Sequence, residues 1–307
     1  LSTEIGPCPW NKEHRLVHIG LQGKKPDYNT PKSSNLVFLI DSSGSMDEPG
    51  KLPLLKQSFK LLLEQLDTND RISIVAYAGS AGVVLPATPA SQEKRILAAL
   101  EGLQAGGSTA GGQGITLAYE LATQNFIRGG NNRVILATDG DFNVGVSSSS
   151  ELVRLVEEKR KGGVYLTILG FGEGNYKDGR MEQISNAGNG NYFYIDTIRE
   201  AEKVFVRDMR ANLFTIADDV KIQVEFNPEH VAAWRLIGYE NRVLSREDFD
   251  DDQKDAGELG AGHSVTALYE IVPPGAKSDV KTSAPLKYQK PVQTGTARYA
   301  KELMTLK

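Results

Sequence analysis

The sequence predicts an α/β fold, a doubly wound and mostly parallel sheet inserted in a β-rich, sandwich-like second domain built from both flanks of the chain. Three observations predict it. Short apolar runs typical of buried parallel strands alternate with amphipathic segments of helical period through the middle of the chain. Both flanks instead alternate with period two and lack helical runs. A lone N-terminal strand could not bury its face unless it met strands from the other end. The expected boundaries are 33–216 for the α/β domain and 1–32 with 217–307 for the discontinuous one. The chain has 307 residues, which suits two domains of ~150 residues each.

Leu36 to Ile40 is a continuous apolar run and reads as a buried strand ending at Asp41. Pro53 to Leu66 follows as a helix, with Leu55, Phe59, Leu62, Leu63 and Leu66 on one face and Pro53 in the first turn. Arg71 to Tyr77 is a second strand. Gly82 to Pro86 is its expected antiparallel edge neighbour, because proline is tolerated at an edge. Ser91 is read as the N-cap of a helix reaching Leu103, and Ile115 to Phe126 as another helix. Arg133 to Ala137, Val164 to Leu169 and Tyr192 to Ile195 are further strands, separated by helices over Ser150 to Lys161 and Arg180 to Ala187. A long last helix is expected from Glu200 to about Phe214.

In the flanks, Val220, Ile222, Val224 and Phe226 alternate with polar residues and predict one half-buried strand. Leu16 to Leu21, Trp234 to Tyr239, His263 to Val272 and Glu302 to Lys307 read as strands too. Lys281 to Ala300 reads as a loose connection. Trp10 and Trp234 are expected in the core of the flanking domain, and Cys8 as a small buried hydrophobe.

Composition narrows the function. Lys and Arg number 35 against 39 Asp and Glu, a net charge of −4, which argues against a nucleic-acid binder. No apolar run approaches the ~18 residues of a membrane span. One cysteine excludes an intrachain disulfide and a thiolate zinc cluster. The chain starts at Leu1 without a signal-like stretch, so any targeting segment is expected to lie outside it.

The chemistry concentrates at predicted strand ends, where open α/β sheets bind ligands. Asp41-Ser42-Ser43-Gly44-Ser45 forms a D-x-S-x-S turn, Thr138-Asp139-Gly140 ends a later strand, and Gly106 to Gly112 is a glycine-rich loop holding Thr109. Every side chain in the set is an oxygen donor. Such a set suits a hard divalent cation that keeps waters and leaves a position open for an outside oxygen. Two other readings fail on spacing. Ser45 to Lys51 lacks the first glycine of a phosphate loop, and Leu52 stands where Ser or Thr belongs. The acidic run Arg246 to Asp255 puts Gln253 and Leu259 where a calcium-binding EF-hand needs Gly and Glu.

These three motifs, in this order, resemble the metal-ion-dependent adhesion site of von Willebrand factor type A domains. The resemblance covers roughly Asn35 to Phe214. It implies a Rossmann-like fold and a site of Asp41, Ser43, Ser45, Thr109 and Asp139. Ser43, Ser45 and Thr109 would be direct ligands, with Asp41 and Asp139 acting mostly through water. The ion implied is Mg²⁺, with Mn²⁺ or Ca²⁺ as substitutes. Ile5 to Trp10, Leu52 to Phe59, Gly129 to Asn143 and Val220 to Phe226 are similar to a narrower bacterial group, the YfbK-like proteins, often lipoprotein-like. That resemblance implies an extracytoplasmic setting, in the periplasm or cell envelope, with a lipid anchor outside this chain.

The implied function is adhesion-type: a partner protein presents Asp or Glu to the bound cation. Asp47, Glu48, Asp141, Phe142 and Asn143 directly follow ligand motifs and form the expected specificity rim. The last helix, in related domains, slides when affinity changes. The alternative is a magnesium-dependent hydrolase or phosphatase at the same site, with metal-bound water as nucleophile. It lacks a histidine base, since His14, His18, His230 and His263 all lie in the flanks. No catalytic constellation is expected.

Overall fold

The computed structural model describes residues 1–24, 33–107, 111–140, 149–172, 178–207, 215–238, 249, 257–260, 262–280 and 301–307. The chain divides into two compact units. One comprises Leu1–Gly23, Ala217–Leu259 and His263–Lys307; the other comprises Lys24–Ile216 and Gly260–Gly262. Strands β1 (Ser2–Pro7) and β2 (Arg15–Gln22) open the first unit.

The α/β unit follows. It runs β3 (Ser34–Asp41), α1 (Leu52–Leu63), β4 (Arg71–Tyr77), β5 (Ala81–Pro89), α2 (Glu93–Glu101), α3 (Gly111–Gln124), β6 (Asn131–Thr138), α4 (Ser149–Lys161), β7 (Val164–Phe171), α5 (Asp178–Ala187), β8 (Tyr192–Ile195) and α6 (Ile198–Glu202). Six strands form one sheet in the order β5-β4-β3-β6-β7-β8, parallel except for the edge strand β5, which is antiparallel to β4. Strands β3 and β6 lie at the centre and are buried along their whole length, as their continuous apolar runs require. Alternate residues of β3 feed opposite faces. Leu36, Phe38 and Ile40 pack with α1, where the Phe38 and Phe59 rings lie 4.4 Å apart. Val37 and Leu39 pack with α3, α4 and α5 through Ile115, Tyr119, Leu152 and Ile184.

Several element boundaries move for physical reasons. Ser91 lies inside a 3-10 turn, Ala90–Gln92, and makes no cap bond; α2 starts only at Glu93. Helix α3 starts at Gly111, ahead of Ile115, and takes in glycines that read as loop. Gly114 is needed there. A Cβ on it would lie 3.0 Å from Leu39 and 3.1 Å from Tyr77, so its absence lets α3 approach the sheet. The last helix is short: α6 ends at Glu202 and passes into a π-helical turn, Lys203–Arg207. The rest of that expected helix, residues 208–214, lies outside the described residues, as do the acidic run apart from Phe249 and the connection 281–300.

The last strands are β9 (Thr215–Val220), β10 (Val224–Phe226), β11 (Ala233–Ile237), β12 (Gly257–Gly260), β13 (Ser264–Val272) and β14 (Met304–Leu306). The expected single strand through Val220 to Phe226 is broken at 221–223. β9 pairs with β12 and β10 pairs with β14. The main antiparallel sheet runs β1-β2-β13-β11, so N-terminal β2 sits between β1 and a strand some 240 residues later, with Val17 opposite Tyr269. Its inner face buries Val17, Ile19, Ala267, Tyr269 and Ile271 with Val231, under Val224, Phe226, Met304 and Leu306 of the β10–β14 pair.

The two tryptophans are not core residues. Trp234 is 50% exposed and Trp10 is 56% exposed. Trp234 covers the rim of the small core, 5.8 Å from the ring centroids of both Phe226 and Tyr269. Trp10 is held by its polar edge instead: its indole N–H donates to Glu270 at 3.0 Å. Glu270 is the centre of a buried clamp opposite the apolar face. Its carboxylate also accepts from His14 Nδ1 at 2.5 Å, Arg235 Nε at 2.7 Å and the Cys8 thiol at 3.8 Å. His14 Nε2 meets the Lys277 carbonyl at 2.8 Å. Each acceptor favours a proton on the ring nitrogen it faces, and the Asn11 side-chain amide also approaches Nε2, at 3.2 Å. The pKa of His14 is raised, chiefly by the Glu270 bond against the pull of burial. Burial would raise Glu270, yet the bonds from His14, Trp10 and Arg235 hold it below its usual value. Cys8 is buried, as its small size suggested.

Candidate functional site

Strand order reverses between β3 and β6: the chain leaves β3 to one side through β4 and returns to the other through β6. The carboxyl ends of those two strands carry Asp41 and, one residue past β6, Asp139. This is where a doubly wound sheet opens a crevice for ligands.

Asp41 is fully buried and held from several sides. Its Oδ1 accepts the Ser43 amide at 2.9 Å, and its Oδ2 accepts from Tyr77 Oη at 3.1 Å and Thr138 Oγ1 at 3.2 Å. Burial raises its pKa, with the bonds from Ser43 opposing and the charge of Asp139 adding. Asp41 thus fixes the turn that follows. In that turn Ser43 Oγ and Ser45 Oγ lie 3.1 Å apart. Ser45 lies within a 3-10 turn, Gly44–Asp47, that leaves Asp47 and Glu48 exposed. The neighbouring loop is tied on by backbone: Gly44 N–H donates to the Gly107 carbonyl at 3.2 Å, and Gly106 N–H to the Ser42 carbonyl at 2.8 Å.

Lys51 is the group that sequence reasoning missed. Its ammonium donates to the Ser45 carbonyl at 2.9 Å, to Glu48 Oε1 at 3.2 Å and to Asp139 Oδ2 at 3.2 Å. Burial lowers its pKa, but the bonds to Glu48 and Asp139 outweigh that and raise it overall. Its stem crosses Gly172, which follows β7. A Cβ there would lie 2.5 Å from Lys51 Cε, and the φ of +94° also favours glycine. The spacing of Lys51 from Ser45 gave a hint only as a failed phosphate loop.

The sequence-predicted set is therefore brought together in part. Asp41, Ser43 and Ser45 share one turn, and Asp139 joins them through Lys51. Thr109, Asp141, Phe142 and Asn143 lie outside the described residues. The donors fit a small hard cation. Adjacent oxygens around an octahedral Mg²⁺ with ~2.1 Å bonds sit about 3.0 Å apart. The two serine hydroxyls already have that separation, at 3.1 Å. Asp41 spends its oxygens on protein donors, so it suits an outer position. Among the described residues no group of three or more His, Cys, Asp and Glu gathers, which leaves hydroxyls as the main neutral donors.

Comparison with known proteins agrees with this architecture. Residues 211–307 match the model described as "Uncharacterized protein YfbK, C-terminal". The chain is 44% identical over 304 residues to the uncharacterized protein YfbK of Escherichia coli K12, covering 99% of this chain and 52% of that protein. It is 29% identical over 197 residues to the uncharacterized protein sll0103 of Synechocystis, covering 62% of this chain and 44% of that one. The chain thus spans about half the length of these curated relatives. Among solved structures, a von Willebrand factor type A protein from Catenulispora acidiphila superposes with a TM-score of 0.55 at 20% identity, over 88% of this chain and 64% of that one; this likeness speaks to the fold. Residues 35–207 match the von Willebrand factor type A domain model, and the chain belongs to that family.

Proposed function

We propose that the chain is a metal-ion-dependent protein–protein interaction module. A divalent cation, Mg²⁺ by preference, would be held by Ser43 and Ser45, with Thr109 as a further direct ligand and Asp41 and Asp139 as outer carboxylates. The observation that carries this reading is the Ser43–Ser45 hydroxyl pair, 3.1 Å apart on a turn fixed by buried Asp41. The bound ion would supply an electron-poor position that an outside carboxylate can complete. The chain's own residues do the rest. Tyr77, Thr138 and the Ser43 amide orient Asp41, and Asp41 orients the serines. Exposed Asp47 and Glu48, with Asp141, Phe142 and Asn143, would select among partners that present Asp or Glu. A non-catalytic role fits the donor set: no histidine lies between His18 and His230, so no imidazole base belongs to the α/β segment.

The test is a binding assay. Calorimetry with Mg²⁺ should give saturable binding to the wild type and none to Ser43→Ala. Partner capture should then depend on Mg²⁺ and vanish with EDTA or Ser43→Ala. Partner capture that is equal in all conditions would rule out the metal role. Turnover of a generic phosphoester, lost in Ser43→Ala, would favour the hydrolase instead.

A further inference from the structure

We propose that Lys51 is a built-in counter-ion that competes with the divalent cation for Asp139 and so weakens and tunes metal binding at this site. This inference rests on the metal reading above. It starts from where the ammonium stands. Lys51 Nζ bonds at once to the Ser45 carbonyl, to Glu48 and to Asp139, so a fixed positive charge joins the D-x-S-x-S turn to the carboxylate after β6. The position is built. The side chain is only 12% exposed, its stem passes over Gly172 where any Cβ would collide, and the Gly172 carbonyl is itself bonded by Tyr194 Oη.

Two consequences follow from charge alone. Without a cation, Lys51 offsets the mutual repulsion of Asp139 and buried Asp41, so the turn keeps its shape. With a cation present, the same ammonium is a like charge beside the ion and must give up or share Asp139. Glu48 and the Ser45 carbonyl give it somewhere to stay bonded while it does so. The site is then neither empty of charge nor committed to its metal, and affinity falls into a range where occupancy responds to concentration.

The experiment compares wild type, Lys51→Met and Lys51→Gln, each also with Ser43→Ala, by titration calorimetry with Mg²⁺ and with Mn²⁺. Melting is followed in EDTA and in excess Mg²⁺, and circular dichroism confirms the fold of each variant. Both Lys51 variants should bind Mg²⁺ about tenfold tighter than wild type, because a nearby like charge is removed. Both should melt lower than wild type in EDTA and recover more on adding Mg²⁺. Binding in wild type that is lost in Ser43→Ala, but unchanged or weaker in folded Lys51 variants, would overturn this proposal and leave the metal reading intact. Binding in neither wild type nor the Lys51 variants would overturn both. Binding in the Lys51 variants alone, abolished by Ser43→Ala, would support it.

Discussion

The two units reach stability by different means. The α/β unit buries both faces of its central strands against helices in large apolar clusters, with hydrogen-bonded polar groups such as Asn35, Asp41 and Arg133 buried beside them. The flanking unit has a small apolar cluster, and opposite it a carboxylate clamp in which Glu270 gathers His14, Trp10, Arg235 and Cys8. The first arrangement is sensitive chiefly to changes of volume. The second tolerates neither the loss of a partner nor the loss of a proton.

The comparison can be broken first in the larger core. Phe38→Ala empties a fully buried ring position against Phe59, and should cost the α/β unit about 4 kcal/mol in denaturant unfolding. Glu270→Ala should cost the flanking unit about 3 kcal/mol, the low end for a broken buried ion pair because Arg235 keeps access to water. Phe38→Ala is expected to lower the α/β unit's transition, and Glu270→Ala the flanking unit's alone.

Next comes pH. His14 is raised above its ordinary 6.5, so its contribution is complete below that value and is lost as pH rises through the folded pKa. Glu270 is lowered below its ordinary 4.5, so its contribution is present above that value and is lost as pH falls through the folded pKa. The flanking unit should be most stable between these limits. His14→Asn should flatten the alkaline limb of its melting temperature against pH. Smallest is Trp10→Phe, which deletes one indole donor from an exposed ring and should cost about 1 kcal/mol in the same melting experiment.

The same contrast explains what the sequence makes legible. Strands β3 and β6 are continuous apolar runs, so local pattern suffices to place them, and with them Asp41 and Asp139. Glycines misled at α3, because Gly114 serves close helix–sheet packing rather than a loop. The clamp is invisible to periodicity. Its members are of mixed chemistry, scattered and up to 262 residues apart, and nothing local marks them. Trp10 looked like core because it is large and apolar, whereas its indole N–H decides where it sits. Lys51 escaped notice for a related reason: a lone lysine near a turn is usually solvated, and only the missing side chain at Gly172 gives it a sheltered path to Asp139.

One feature of the flanking sheet bears on how the protein folds. β2 and β13 pair directly, Val17 against Tyr269, across nearly the whole chain. Closing so long a loop of unstructured chain is slow and entropically unfavourable. If the α/β unit has already collapsed, the effective loop shrinks to the few dozen residues outside that unit, which lowers the closure cost by roughly 1 kcal/mol. The inserted unit should therefore form first and act as a tether for the strands around it. Refolding followed by hydrogen exchange should protect β3 and β6 before β2 and β13, and amides of β13 should stay open in any variant whose inserted unit cannot fold.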